Sequence, residues 1–294
     1  MAYELIQVSE HDYYIDCPVK IGLVRVSEQD VVLIDSGSDK DAGKKVYRLL
    51  NNNGWTLKAI FNTHSHADHI GGNHFLQEKT GCSIYAKGLE CVYSNQPVLE
   101  PIGLYGGLPF KELRNKFLMA QQSNVLPLEK DVLPKGMRLL DLPGHCFEMV
   151  GFLTSDGTAY IADSVSSEET LRKYGIGYLW DIDTTLKTLE SLLTLDAVCF
   201  IPSHAPASKD IESLIRLNIE KLNALKASIL NLCAVPVSFE TLLKKLFQQY
   251  GMTMNAQQYV LIGSTIRSCL SSLYAQGKVT YDFCESEMLW KAGE

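Results

Sequence analysis

The sequence predicts an α/β domain followed by a small, mostly helical domain. Over the first two hundred residues, strand-like and helix-like segments alternate, which is typical of α/β proteins. From Ser208 onward, apolar residues recur instead at helical spacing. Several strand-like runs of the first part are also followed by a histidine or an aspartate. These observations predict a catalytic domain over residues 1–207 and a helical domain over residues 208–294.

The elements of the first domain follow from local patterns. Residues 21–26 and 31–34 are rich in β-branched residues and flank a polar turn, which predicts a hairpin. A second hairpin is indicated by Asp156-Gly157 between two apolar runs. The remaining predicted strands are residues 57–61, 83–86, 137–142, 150–154, 158–162 and 197–201, and the predicted helices are residues 42–50, 68–79 and 186–193.

Residues 88–128 interrupt this alternation. Glycines and Pro109 precede a helical-looking segment, Phe110–Gln122. Long insertions of this kind are often lids or binding loops. A pair of surface helices that only packs is an equally open interpretation.

The second domain is predicted from capping signals. Ser238 is placed to cap a helix that ends at Gly251, and a further helix is predicted over residues 256–276. Residues 278–283 and 288–291 then resemble a small hairpin. Helices followed by a hairpin indicate a domain of winged-helix type.

The composition and charge of the chain disfavour two classes of protein, nucleic-acid binders and membrane proteins. The 294 residues carry a net charge of −7, which disfavours a general nucleic-acid binder. No apolar run approaches the ~20 residues of a membrane-spanning helix, and the N-terminus lacks the features of a signal peptide. The eight cysteines are scattered without a C-x-x-C pair, as expected for reduced thiols. We therefore expect a cytoplasmic protein without a membrane partner.

Side chains that can bind a metal are concentrated in the stretch from His64 to His69, which contains three of the seven histidines and Asp68. Neutral imidazole and carboxylate are ligands for zinc, iron or manganese. Further ligand types follow later strands, at His145, Asp163 and His204. Because loops at one edge of a sheet lie close together, these side chains are predicted to form one metal site.

This pattern resembles the metallo-β-lactamase superfamily. The motif H-x-H-x-D-H at residues 64–69 is followed by Pro143-Gly144-His145, Asp163 and His204 in the order and rough spacing of that family. The resemblance implies a four-layer αββα sandwich with two divalent metal ions at one edge. Zinc is the expected metal, and iron or manganese are the alternatives. It implies that His64, His66 and His145 bind the first ion, that Asp68, His69 and His204 bind the second, and that Asp163 bridges both.

The resemblance also implies a mechanism. Two cations share a hydroxide that attacks the substrate, and Asp68 and Asp163 are the predicted catalytic residues that position it. Within the superfamily the chain is most similar to glyoxalase II-like hydrolases, so the expected substrate is a small ester, thioester or lactone. An endoribonuclease or phosphodiesterase and a mononuclear-iron persulfide dioxygenase are the alternatives. A homodimer is compatible with the sequence.

Asp35 is predicted to support the metal site without being a ligand. Asp35 ends the strand over residues 31–34, and a matching aspartate recurs in the family that the chain resembles. A carboxylate there is predicted to accept a hydrogen bond from a ligand imidazole or from the backbone of the histidine loop.

Overall fold

The computed structural model describes residues 3–293 of the chain, apart from the side chain of residue 174. The backbone divides into two compact units. The predicted domain boundary after residue 207 stays a prediction, since these units are defined by backbone contacts alone. The first unit comprises the chain up to Pro143, Phe147–Val165 and Thr194–Ile211, and the second comprises Gly144–Cys146, Ser166–Leu193 and the chain from Glu212 onward.

The first unit contains a seven-stranded sheet in sequential order. Its first four strands pair antiparallel, and the strands after the fourth are parallel. The two N-terminal strands were not predicted; the first is a four-residue edge strand whose two end residues are exposed, which gives it little apolar signal. The strands are β1 (Glu4–Gln7), β2 (Asp12–Asp16), β3 (Ile21–Arg25), β4 (Asp30–Ile34), β5 (Thr56–Phe61), β6 (Ser83–Ala86) and β7 (Leu126–Pro127).

A second, four-stranded sheet belongs to the same unit. Its strands are β8 (Arg138–Asp141), β9 (Val150–Leu153), β10 (Thr158–Ala162) and β11 (Cys199–Pro202), in the order β11-β10-β9-β8. β9 and β10 pair antiparallel around the predicted Asp156-Gly157 turn, where Gly157 has a φ of 84°. This left-handed conformation is one that glycine adopts without strain.

The two sheets share one apolar core. Phe61 of β5 and Phe152 of β9 lie with their ring centroids 5.9 Å apart. Val32, Tyr160 and Ile201 belong to the same buried cluster. Since this cluster draws its side chains from both sheets, the predicted sandwich is confirmed.

Helices cover the other face of the seven-stranded sheet. The helix α1 (Lys40–Asn52) buries Val46 and Leu50 in a cluster that contains Leu33 and Ile60 of the sheet. Asp39 caps this helix by accepting hydrogen bonds from the backbone N–H groups of Asp41 and Ala42. An apolar stripe on one side and a capped N-terminus explain why the sequence forms a helix here.

The predicted helix over residues 68–79 is divided into two. The structure has a short helix α2 (Ala67–Ile70), then Gly71-Gly72, and then α3 (Asn73–Thr80). A Cβ on Gly71 would lie 2.4 Å from the carbonyl of Ser38, and one on Gly72 would lie 2.3 Å from the carbonyl oxygen of Ser36. The break therefore lets the segment after the histidines approach the backbone that follows β4, which only glycine permits.

The insertion also differs from its prediction. Residues 88–105 form helices α4 (Gly88–Asn95) and α5 (Leu99–Tyr105), but the predicted helix over 110–122 is reduced to a single 3-10 turn at Lys111–Leu113. In that segment Leu113 is buried, whereas Phe110 and Phe117 are exposed. A helix would have placed these three side chains on one face, so the segment packs through isolated residues instead.

The second unit is mostly helical and has its own apolar core. Ser238 accepts a hydrogen bond from the backbone N–H of Thr241 at the start of the helix over Phe239–Gln249, which confirms the predicted cap. The winged-helix assignment itself stays a prediction. The elements of this unit are α6 (Glu168–Tyr174), α7 (Ile182–Leu192), α8 (Glu212–Leu232), β12 (Val237–Ser238), α9 (Phe239–Gln249), α10 (Ala256–Ala275), β13 (Val279–Cys284) and β14 (Glu287–Ala292).

No helix among residues 3–293 is long and apolar enough to span a membrane.

Candidate metal centre

Asp35 organises the loop that carries the histidines, which we define as residues 62–69. Its carboxylate accepts hydrogen bonds from the backbone N–H of Thr63 at 2.8 Å and from the Thr63 hydroxyl at 2.7 Å. The Nδ1 atom of His69 lies 2.8 Å from the same carboxylate. The predicted role of Asp35 is confirmed, because it contacts both the loop backbone and a ligand imidazole. Its φ of 65° marks the sharp exit from β4.

The hydrogen bonds around Asp35 fix the tautomers of two histidines. A carboxylate can only accept, so the Thr63 hydroxyl must donate to Asp35. That hydroxyl lies 2.9 Å from Nδ1 of His64, so this nitrogen carries the hydrogen and donates to Thr63. His69 likewise donates from Nδ1 to Asp35. In both rings Nε2 is then the nitrogen whose lone pair can bind a metal.

A buried glutamate that the sequence analysis did not identify holds the other side of the histidine loop. Glu90, in α4, is fully buried. It accepts hydrogen bonds from the backbone N–H of Ser65 at 3.0 Å, from the Ser65 hydroxyl at 2.6 Å and from the backbone N–H of Glu148 at 3.0 Å. Because Ser65 lies between His64 and His66, these bonds restrain the spacing of the two ligand side chains.

The structure brings the predicted ligands together. Among residues 3–293, three groups each have ligand atoms within 4.8 Å of one another. All seven predicted ligands fall in these groups. The groups are His64, His66 and His145; His64, His69 and Asp163; and Asp68, His69 and His204. Clusters of imidazole nitrogen and carboxylate oxygen at this spacing fit a divalent transition metal such as zinc.

The carboxylates of Asp68 and Asp163 face the imidazoles of His69 and His204, as they would face a cation. His204 Nε2 lies 3.3 Å from Asp68 and 3.2 Å from Asp163, and His69 Nε2 lies 3.2 Å from Asp163. The negative charge of Asp163 raises the pKa of His204 to about 10. Burial would lower the pKa of His69, but Asp163, Asp68 and Asp35 hold it well above its ordinary value. The carboxylates around these two imidazoles thus favour positive charge at this position, which a bound metal would supply.

His66 has a different environment. Burial lowers the pKa of its imidazole to about 4, which keeps the ring neutral and suited to metal binding. Its Nε2 atom lies 3.6 Å from Oε1 of Glu100, a residue of α5. Burial, followed by the charges of Glu90 and Asp68, raises the pKa of Glu100 to about 8. Neither Glu90 nor Glu100 lies in a recognisable motif, so the sequence offered no signal for them beyond two acidic residues within the insertion.

The chain belongs to the metallo-beta-lactamase superfamily, whose family model matches residues 14–204. Among curated proteins it is 29% identical over 165 residues to a hydroxyacylglutathione hydrolase from Rhodopseudomonas palustris, in a match that covers 55% of this chain and 53% of that protein. The chain thus spans about half the length of this relative.

Solved structures support the same fold. A metallo-beta-lactamase family protein from Thermus thermophilus superposes with a TM-score of 0.72 at 18% identity, covering 95% of this chain and 97% of that one. A beta-lactamase domain protein from Burkholderia ambifaria gives a TM-score of 0.71 at 16% identity, covering 99% of this chain and 94% of that one. The likeness extends over both units, and at these identities it establishes the fold alone.

The contacts of Asp35 lead to a prediction about metal affinity. Replacing Asp35 with asparagine keeps its size but removes its charge and one of its two acceptor oxygens, so a single oxygen remains for the three donors of Thr63 and His69. We expect zinc affinity to fall by about 10–100-fold. Competition with a chromophoric chelator measures this change. The matched control is Asp30→Asn, at the other end of β4, where the carboxylate lies 3.8 Å from Lys58. Equal zinc affinity in the two variants would contradict the assigned role.

Proposed function

We propose that the protein is a dinuclear metal-dependent hydrolase. The proposal depends on one observation, which is that Asp163 lies close to ligands of both predicted sets. Asp163 groups with His64, which belongs to the first predicted ligand set, and with His69, which belongs to the second. A carboxylate within reach of both sets is the arrangement expected of a ligand shared by two ions.

The residues divide between the ions as the family resemblance implies. His64, His66 and His145 would hold one ion, and Asp68, His69 and His204 would hold the other, with Asp163 shared. Nitrogen and oxygen donors of this kind favour zinc. When bound, such ions lower the pKa of water and polarise a substrate carbonyl.

Asp163 and Asp68 have different proposed roles in the reaction. Asp163, whose side chain is 12% exposed, is held between His69 and His204 and sets the position of the nucleophile. Asp68 is 40% exposed and reaches the solvent side of the same cluster. A carboxylate in that position can carry the proton to the departing alcohol or thiol.

A small ester, thioester or lactone is the proposed substrate class. The names of the relatives support it, since several are hydroxyacylglutathione hydrolases. The net charge of −7 also disfavours a polyanionic substrate such as RNA.

Metal analysis combined with a substrate panel tests the proposal. We expect two zinc ions per chain and hydrolysis of a simple thioester, lost on chelation and restored by added zinc. The panel also contains a lactone, a phosphodiester and a persulfide. A single iron with oxygen uptake on the persulfide would contradict the proposal in favour of a dioxygenase, and cleavage of the phosphodiester alone would favour a nuclease.

A further inference from the structure

The middle of the insertion exposes apolar side chains to solvent. We define this segment, residues 105–117, as the insertion loop. Leu108 is 82% exposed and Phe117 is 69% exposed, and Tyr105 and Phe110 are exposed as well. The rings of Tyr105 and Phe110 contact each other, with their centroids 5.4 Å apart. Single apolar residues on a surface need no explanation, but several in one short segment point to a binding surface.

Buried residues and local hydrogen bonds hold the insertion loop in place. Pro109 and Leu113 are buried. The side chain of Asn115 accepts a hydrogen bond from the backbone N–H of Phe117 at 2.8 Å and donates one to the carbonyl of Glu112 at 2.6 Å. The exposed apolar side chains are therefore presented by a backbone that is fixed by its own contacts.

The N-terminal end of the insertion loop lies beside the histidine loop. Helix α5 brings Oε1 of Glu100 to 3.6 Å from Nε2 of His66, a candidate metal ligand. Tyr105 ends the same helix five residues later, which corresponds to about 7.5 Å along the helix axis. The aromatic pair of Tyr105 and Phe110 thus begins close to the metal centre.

The C-terminal end of the insertion loop is attached near the same ligands. Nζ of Lys116 lies 3.0 Å from Oδ2 of Asp39. Asp39 in turn adjoins the end of α2, since a Cβ on Gly71 would lie 2.6 Å from the backbone nitrogen of Asp39. Helix α2 contains the candidate ligands Asp68 and His69. Both ends of the insertion loop are therefore attached beside the metal centre, and its apolar surface borders that centre.

The insertion loop is also cationic, although the whole chain carries a net charge of −7. It contains Lys111, Arg114 and Lys116, and its one acidic residue is Glu112. Lys116 pairs with Asp39, whereas Lys111 and Arg114 are exposed and form no ion pair with any of residues 3–293. Positive charge beside an apolar surface fits a ligand that combines an apolar chain with an anionic group.

We propose that the insertion loop binds the acyl chain of the substrate and that Lys111 and Arg114 bind its anionic carrier. The favoured substrates are thioesters that join an apolar acyl chain to a thiol bearing anionic groups. This inference rests on the proposed hydrolase function, which places the scissile carbonyl at the metal ions. An acyl chain that covers Leu108 and Phe117 removes apolar surface from water, and this stabilises the complex.

Binding of hydroxamates to the zinc-loaded protein tests the acyl site independently of turnover. Hydroxamates chelate metal ions, so octanohydroxamate and acetohydroxamate place chains of different length beside the same ions. By calorimetry we expect the wild-type protein to bind the octanoyl compound about tenfold or more tightly. A variant that combines Leu108→Ser and Phe117→Ser is expected to lose this preference without loss of zinc or of affinity for acetohydroxamate. The control Phe283→Ser, 67% exposed on β13, should retain the preference.

Steady-state kinetics with two octanoyl thioesters test the anionic carrier. Octanoyl-coenzyme A carries phosphate groups, whereas octanoyl-N-acetylcysteamine is neutral. At low salt we expect kcat/KM to be about tenfold or more higher for the anionic thioester. Combining Lys111→Gln with Arg114→Gln is expected to remove this difference. The control variant combines Lys244→Gln with Lys245→Gln, both exposed in α9, and should retain it.

Several results would overturn the assignment. Equal affinity of the wild-type protein for both hydroxamates would exclude the acyl site, and equal kcat/KM for both thioesters would exclude the anionic carrier. Loss of zinc or a lower melting temperature in the serine variant would show a structural role. Binding to phosphatidylglycerol vesicles, or dimerisation in sedimentation, that the serine variant loses would assign the surface to a lipid membrane or to a second copy of the chain. Preference for octanohydroxamate without hydrolysis of either thioester would instead contradict the proposed hydrolase function and leave the acyl site intact.

Discussion

Replacing Asp163 with alanine is expected to lower kcat by about a hundredfold or more while the protein stays folded. The carboxylate lies 3.2 Å from both His69 and His204, and it shares a ligand group with His64. Its loss removes a carboxylate that lies within reach of both ligand sets. A displacement of reacting groups by ~1 Å can cost on the order of a hundredfold in rate.

Steady-state kinetics at saturating zinc, with a thermal melt of each variant, measure this effect. Asp196→Ala is the control, because that carboxylate is exposed in the loop before β11. Near-normal turnover by Asp163→Ala with a full complement of zinc would show that Asp163 does not bridge the ions.

Replacing Glu90 with alanine is expected to destabilise the fold by about 3–5 kcal/mol and to release zinc. The substitution removes a buried acceptor of three hydrogen bonds and leaves the donors of Ser65 and Glu148 unsatisfied. Urea unfolding and elemental analysis measure the two effects.

Glu90→Gln supplies a second, milder variant if the alanine variant does not fold. Its amide keeps one acceptor oxygen, so an intermediate loss of stability is expected. Glu112→Ala, on the exposed part of the same insertion, is the control. Should Glu90→Ala unfold at the same urea concentration as that control, the glutamate would have no structural role in the histidine loop.

The sequence could predict that the candidate ligands lie close together, because each follows a strand end. His64 to His69 follow β5, and Asp163 directly follows β10. Apolar runs reveal strands, and strands of a sheet place their ends at a common edge. The loops after those runs could therefore be related to one another before any distance was known.

The supporting residues could not be predicted in this way. Glu90 and Glu100 lie in helices of the insertion, where neither periodicity nor spacing relates them to the histidines. Their importance comes from burial, and burial of a glutamate depends on tertiary packing that a single sequence does not display. Asp35 was an exception because it ends a recognisable strand.

Tertiary packing also explains why two predicted helices differ from the structure. Gly71-Gly72 divides the predicted helix because the neighbouring backbone at Ser36–Ser38 leaves no room for a Cβ. In the insertion, Phe110 and Phe117 are exposed although helical spacing would place them beside buried Leu113. Helical periodicity shows which apolar residues would share a face of a helix. It does not show which of them are buried by packing against the rest of the protein.

The insertion sets a limit on how this protein can be altered by evolution or by design. Its N-terminal part contains Glu90, which anchors the histidine loop, so the segment cannot be exchanged as a whole between relatives without loss of the site. Its middle part contains Leu108 and Phe117, which are 82% and 69% exposed. Substitutions at Leu108 and Phe117 are therefore expected to leave the histidine loop intact, whereas Glu90 must be retained.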